Sequence, residues 1–224
     1  MALLNFLGAI QQVTGSSYLI ESRDGAKVLL DCGMRQGRRE EEEGNRAAFA
    51  FDPLSLDAVV ISHAHIDHTG LLPKLVAAGY RGPIFATDAS CELMELMLLD
   101  AAFLQEKDAE WENKWRARMG RAPISPLYTT ADAEQTLHQR QAVAYGATRE
   151  VAKGVQVTFH DAGHILGSAI VELEVQDHHL TRRLVFSGDL GNTCSPLMHD
   201  PAILKRADVV LLESTYGDRD HRCS

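Results

Sequence analysis

Three histidines and an aspartate fall within six residues in Ser62-His63-Ala64-His65-Ile66-Asp67-His68. Imidazole nitrogens and carboxylate oxygens are ligands that suit divalent zinc. On an extended chain His63 and His65 point to the same side, because alternate side chains do. Asp67 and His68, just past the bend that follows, can face a second ion. Two cations about 3.5–4 Å apart form a clamp for the attacking and leaving oxygens of a displacement. The run follows Val59-Val60-Ile61, where unpartnered imidazoles and a carboxylate would be costly to bury. A bound metal explains the cluster better than a chance patch does. His178-His179 has no such setting and reads as a solvated pair.

Three further pieces can join this cluster. Asp161-Ala162-Gly163-His164 follows an apolar run, and Gly163 and Gly167 let the backbone turn so that His164 projects. Ser187-Gly188-Asp189 ends another run, and a carboxylate there could bridge two ions. Asp31 closes Val28-Leu29-Leu30 and could reach the same cleft. Each piece alone is an ordinary turn. Together, at strand ends, they form a candidate constellation.

The elements that must position these residues are short. Residues 3–7, 17–21, 27–31 and 57–62 read as strands, with turn signals at Gly15 and Asp24-Gly25. The last of them is apolar without alternation, as a strand buried on both faces is. Residues 70–78 read as a helix with Pro73 in its first turn, where proline is tolerated. A strand at 84–86 leads to a long helix from Asp88 to about Arg118, with Asp88 and Ser90 as candidate caps. Leu93, Leu96, Met97, Ala101 and Leu104 are its expected core stripe. Trp111 and Trp115 stand one turn apart and share a face that could meet a partner domain, with packing inside the chain as the favoured expectation. Residues 38–43 read as a charged surface segment. Residues 130–145 read as a third helix, and 155–160, 169–175, 184–187 and 209–213 as later strands. This order predicts a layered α/β (α+β) domain.

A chain of 224 residues can bury a sizeable core. Its 31 acidic and 22 basic residues, net −9, exclude a protein held to nucleic acid by a broadly basic surface. They leave room for a nucleic-acid enzyme that places positive charge at its site through metal ions. Cys32, Cys91, Cys194 and Cys223 have no zinc-finger spacing, and no disulfide framework is expected. The apolar start has no basic residue before Arg23, and no run approaches the ~18 apolar residues of a membrane helix. A cytoplasmic protein with no membrane partner is expected.

His63-Ala64-His65-Ile66-Asp67-His68 resembles the signature of the metallo-β-lactamase superfamily, and Asp31, His164 and Asp189 match its other ordered motifs. Val13-Thr14-Gly15-Ser16-Ser17-Tyr18-Leu19-Ile20, Asp31-Cys32-Gly33, the segment from Gly163 to Ala169 and Glu213-Ser214-Thr215-Tyr216-Gly217 resemble its β-CASP branch. That branch includes bacterial ribonucleases and the messenger-RNA 3′-end processing endonuclease. The resemblance implies an αββα sandwich. It implies that His63, His65 and His164 hold one zinc ion, and that Asp67, His68 and a bridging Asp189 hold a second, with manganese as the other candidate metal. Asp31 would orient a ligand from behind. Glu213 matches an acidic motif that positions the site, so Asp67, Asp189 and Glu213 are the carboxylates expected to matter for catalysis. The implied reaction is hydrolysis of RNA phosphodiester bonds by a hydroxide activated between two ions.

In that branch the chain continues past the Tyr-Gly motif into a β-CASP cap and returns to finish the first domain. This sequence ends at Ser224, eleven residues after Glu213. The expectation is therefore a sandwich incomplete at its C-terminus, with a cap that would begin at about 217–224. It would depend on a downstream segment or a partner chain, or form oligomers. His221 is expected to be surface rather than a ligand. Two other functions stay open: hydrolysis of a small thioester, ester or lactam, and a non-catalytic metal-binding scaffold.

Overall fold

The computed structural model describes residues 2–37, 43–215 and 217. Residues 38–42, Tyr216, His221 and Cys223, on which parts of the sequence reading fall, lie outside the described residues.

Two sheets face each other. The first has the order β1 (Leu3–Phe6), β2 (Tyr18–Glu21), β3 (Lys27–Leu30), β4 (Ala58–Val60), β5 (Ile84–Ala86), β6 (Arg140–Ala142). Its first three strands are antiparallel, and β3 to β6 run parallel. The second sheet comprises β7 (Thr148–Ala152), β8 (Val155–Asp161), β9 (Ala169–Asp177), β10 (Leu180–Phe186) and β11 (Val209–Leu211) in sequence order. Only the β10–β11 pair in it is parallel.

β3 and β4 are buried on both faces, which is why their sequences show no alternation. Leu29, Val59 and Ile61 pack under helices, while Val28, Leu30, Ala58 and Val60 meet Val157, Phe159 and Val171 of the second sheet. Each of these side chains larger than alanine contributes roughly 1.5–3 kcal/mol by leaving water. β3 and β4, which end at the candidate site, are thus firmly held. Helices α1 (Ile66–Thr69), α2 (Leu72–Ala77), α3 (Asp88–Arg118) and α4 (Thr130–Leu137) cover the outer face of the first sheet. On the outer face of the second sheet, Leu190, Ala202 and Leu204 pack on Ile170 and Val185, and no helix lies there among the described residues. The helix–sheet–sheet order of the expected sandwich is present. Among the described residues, no helix is long and apolar enough to cross a membrane.

Several expectations give way to tertiary contacts. The helix expected over 130–145 stops at Leu137, and Arg140–Ala142 becomes β6, pairing with the edge of β5. β7, which the sequence reading does not include, has one fully buried side chain, Val151, too few to show a pattern. Neither Asp88 nor Ser90 caps α3: the cap is Thr87, whose hydroxyl accepts from the Ser90 amide. The core face of α3 is Cys91, Met94, Leu98, Ala102 and Ala109, while Leu96 and Leu104 are exposed. The helix is apolar on two sides, so periodicity alone cannot choose which side meets the sheet. Trp111 and Trp115 are both exposed, against the expectation that they pack within the chain. β11 is a sheet edge, with Val209 and Val210 exposed.

Candidate metal centre

The ends of β3, β4 and β10 and the loop between β8 and β9 converge at one end of the sandwich. The Ala169 amide donates to the Ser62 carbonyl at 2.9 Å and ties the two sheets together there. Asp31, directly after β3, is fully buried with φ of +56°. Such a conformation persists in a non-glycine residue only where its surroundings hold it. Here they do. Asp31 Oδ1 accepts from the Ser62 amide at 2.8 Å, and Oδ2 accepts from the hydroxyls of Ser16 and Ser62, each at 2.9 Å. Asp31 Oδ2 also lies 2.7 Å from His68 Nδ1, which leaves Nε2 of that ring facing the cleft. The chain passes so close at Gly33 that a Cβ there would overlap the Asp67 carbonyl.

His63, His65, His164 and Asp189 each place a ligand atom within 4.8 Å of the others. His65 Nδ1 is 3.1 Å from His63 Nε2 and 3.2 Å from His164 Nε2. Donors around a tetrahedral zinc, at ~2.0–2.1 Å from the ion, are separated by ~3.3 Å. The nitrogens are therefore spaced as a shared cation requires. Asp189 Oδ2 stands 3.7 Å from both His63 Nε2 and His164 Nε2. Its other oxygen, Oδ1, is 3.2 Å from His68 Nε2, which in turn is 3.8 Å from Asp67 Oδ2. One carboxylate thus stands between two sets of donors.

The family comparison agrees with this geometry. The model of the metallo-beta-lactamase superfamily matches residues 11–220. The chain belongs to the metallo-β-lactamase superfamily. Ribonuclease TTHA0252 of Thermus thermophilus is 41% identical over 215 residues, covering 96% of this chain and 44% of that protein. Transcription termination factor FttA of Cenarchaeum symbiosum is 35% identical over 224 residues, covering 97% of this chain and 32% of that protein. The FttA of Methanocaldococcus jannaschii is 31% identical over 219 residues, with 97% and 32% covered. The chain spans less than half the length of each of these relatives. Superfamily membership and the donor cluster together make this a divalent-metal site of the hydrolase type.

The loop carrying this superfamily's His164 is clamped from outside the cluster. The amides of His164 and Ile165 donate to Ser168 Oγ at 3.0 and 3.2 Å. Thr87 and Ser90, at the start of α3, donate to the Gly167 carbonyl at 2.6 and 2.8 Å, and Tyr145 donates to the Ser168 carbonyl at 2.8 Å. Gly167 has φ of +79°, and a Cβ there would strike the Ser90 amide. Glu213 does not join the ligand group. Its carboxylate accepts from the Leu190 amide at 2.6 Å and from the Thr215 hydroxyl at 2.8 Å, holding the turn that follows Asp189. His178 and His179 are exposed at the β9–β10 turn, as expected of a solvated pair. The sequence reading gives none of Ser16, Ser62, Thr87, Ser90 and Tyr145 a part in supporting the metal site. Only Ser62, directly before His63, carried a local signal; the others lie 15 or more residues from the groups they hold.

Electrostatics separate the two donor sets. Burial, and then the charge of His68, keeps His63 well below the usual imidazole value. Burial and then His164 lower His65. Burial opposes the charged form of His68 as well, but Asp31 and the hydrogen bond to Asp189 outweigh it and push His68 up to about 10. Burial alone would raise Asp189; the hydrogen bond and charge of His68 instead bring it down to about 2. At neutral pH without metal, His68 therefore carries both ring protons, and an ion that takes its Nε2 must displace one. Binding of a divalent ion through His68 Nε2 is expected to release a proton at neutral pH, and affinity there should rise with pH up to about 10. Calorimetry in buffers of different ionisation enthalpy measures the proton. Affinity at this position that does not change with pH would contradict it.

Proposed function

We propose that the chain carries the two-ion centre of a β-CASP-type ribonuclease that hydrolyses RNA phosphodiester bonds. The observation that carries this reading is Asp189, whose Oδ2 faces His63 and His164 at 3.7 Å while its Oδ1 faces His68 at 3.2 Å. The name of the Thermus relative, a ribonuclease, supports the choice of substrate. His63, His65 and His164 would hold one zinc ion, and Asp67, His68 and the shared Asp189 a second, with manganese as the other candidate. Bound there, the ions would supply an activated water and offset charge developing on the phosphoryl oxygens. Asp31 keeps His68 Nε2 turned to the cleft, and Glu213 fixes the turn that presents Asp189.

The second set opens on a cleft of about 620 Å³ lined by Phe6, Ile10, Tyr18 and Leu211 beside His68 and Asp189. A further donor, from a downstream segment of the same protein or from a partner chain, fits this side. With RNA as substrate the cytoplasm is the expected compartment.

The test incubates the metal-loaded chain, alone and with the region encoded downstream, with labelled RNA, a thioester and a chromogenic lactam. RNA cleavage is expected to be strongest with the downstream region present. Asp67→Ala should lower it by about 100-fold or more, ~2.7 kcal/mol, with the circular dichroism unchanged, because the Asp67 side chain belongs to no core cluster. Turnover of the thioester or lactam without RNA cleavage would overturn the reading.

A further inference from the structure

We infer that the C-terminal part of α3 is a stacking platform for single-stranded nucleic acid, separate from the metal centre. Trp111 and Trp115 are 75% and 44% exposed, on the side of the helix away from Met94, Leu98 and Ala102. Met119, one turn beyond Trp115 at the helix end, is exposed as well. Two large aromatic side chains left in solvent one turn apart on the same helix face suit a binding surface.

The charge around it says what fits. The first half of α3 carries Asp88, Glu92, Glu95 and Asp100, in a chain of net charge −9. Beside Trp111 the charges are mixed, with Glu106, Asp108, Glu110 and Glu112 against Lys107, and Glu110 pairs with Lys107 while Glu112 pairs with Arg116. From Asn113 to Arg121 there are four basic residues and no acidic one. Arg116 is used locally, donating to the Ala122 carbonyl at 2.6 Å and pairing with Glu112 at 3.2 Å. Lys114, Arg118 and Arg121 form no ion pair with a carboxylate among the described residues. The Arg121 guanidinium lies over the Trp115 ring, 5.1 Å from its centre. Basic residues at a helix C-terminus offset its dipole, which accounts for the charges but not for two exposed indoles beside them. An apolar protein partner would bury the cations unpaired, and an acidic peptide would leave the rings without a flat partner. A single strand satisfies both, with phosphates for the cations and base faces for the rings. Trp111 lies 24 residues along from Thr87, which touches the His164 loop, so the platform is ~36 Å away along the helix axis.

The chain has two tryptophans, and both are on this face, so its intrinsic emission reports on the platform alone. A short oligouridylate or oligothymidylate added to the full metal-bearing chain is expected to quench that emission saturably. Gel analysis confirms that the oligomers are intact. A duplex of the same length should quench far less, because its bases are already stacked. Lys114→Glu with Arg118→Glu should raise the apparent Kd about tenfold or more, and so should Trp111→Ala, which keeps Trp115 as reporter. Quenching by both oligomers or by one supports the platform. Oligomer bound by anisotropy with emission unchanged would overturn it, as would no binding at all. A blue shift that grows with protein concentration alone would instead assign the face to a second copy. Because only binding is read, a chain that quenches but never cleaves RNA refutes the hydrolase reading and leaves this one standing.

Discussion

Asp189→Ala is expected to weaken both donor sets at once. Zinc content after reconstitution and gel filtration should fall from about two ions per chain to about one, held by the three histidines. RNA hydrolysis should drop by about 10³-fold or more, equivalent to ~4 kcal/mol of transition-state stabilisation. The reason is the placement of one carboxylate, with Oδ2 at 3.7 Å from His63 and His164 and Oδ1 at 3.2 Å from His68. Its removal takes a donor from each set and the negative charge that lies between four imidazoles. His164→Ala is the contrasting variant, since it touches the first set only and should leave the Asp67–His68 side able to bind weakly. An Asp189→Ala protein that still holds about two ions would show that the sets do not share this residue.

Asp31→Asn tests the support behind the metal. Asparagine tolerates the left-handed backbone at φ +56°, and its carbonyl can still accept from the Ser62 amide. What it lacks is the charge facing His68 Nδ1 at 2.7 Å. Two results are expected. Affinity for the second ion should fall about 10- to 100-fold, the usual effect of losing a group that orients a metal ligand. In metal-free protein, the His68 value of about 10 should move down toward the ordinary imidazole range. The sign for stability follows from the raised value. His68 contributes fully below its unfolded value of ~6.5, and that contribution is lost as pH rises through about 10. Denaturant midpoints of the metal-free protein should therefore decline over that window in the parent and stay flatter in Asp31→Asn. Imidazole titration by NMR and midpoints at several pH values check both. Asp31→Ala is the harsher change. It puts alanine at positive φ and leaves Ser16, Ser62 and a buried charged His68 without their partner, at a cost on the order of 3–5 kcal/mol.

The donors were legible because residue type and local spacing carry the information. His63 and His65 alternate on an extended segment, and Asp67 and His68 begin α1, so four groups are delivered by one turn. β3, β4 and β5 were legible for a related reason: runs such as Val28-Leu29-Leu30 are stable only where both faces are covered. Glu213 was legible as a position but not as a contact, since its partner is the Leu190 amide, 23 residues back.

What only the tertiary structure decided lies in contacts between distant parts of the chain. Residues 140–142 have no strand pattern of their own and become β6 because β5 offers an unpaired edge. The face of α3 that meets the core is chosen by the groove it enters, and that choice leaves Trp111 and Trp115 in solvent. The split of Asp189 between two donor sets depends on β10 lying beside β9 while the sheets are joined at Ser62 and Ala169. The clamp on the His164 loop joins Thr87 to Gly167 across 80 residues. Periodicity and spacing report on free energies set within a turn or two of chain. Strand pairing, helix orientation and the polar contacts around Asp31 are settled by groups far apart in sequence, which meet only once the two sheets have closed.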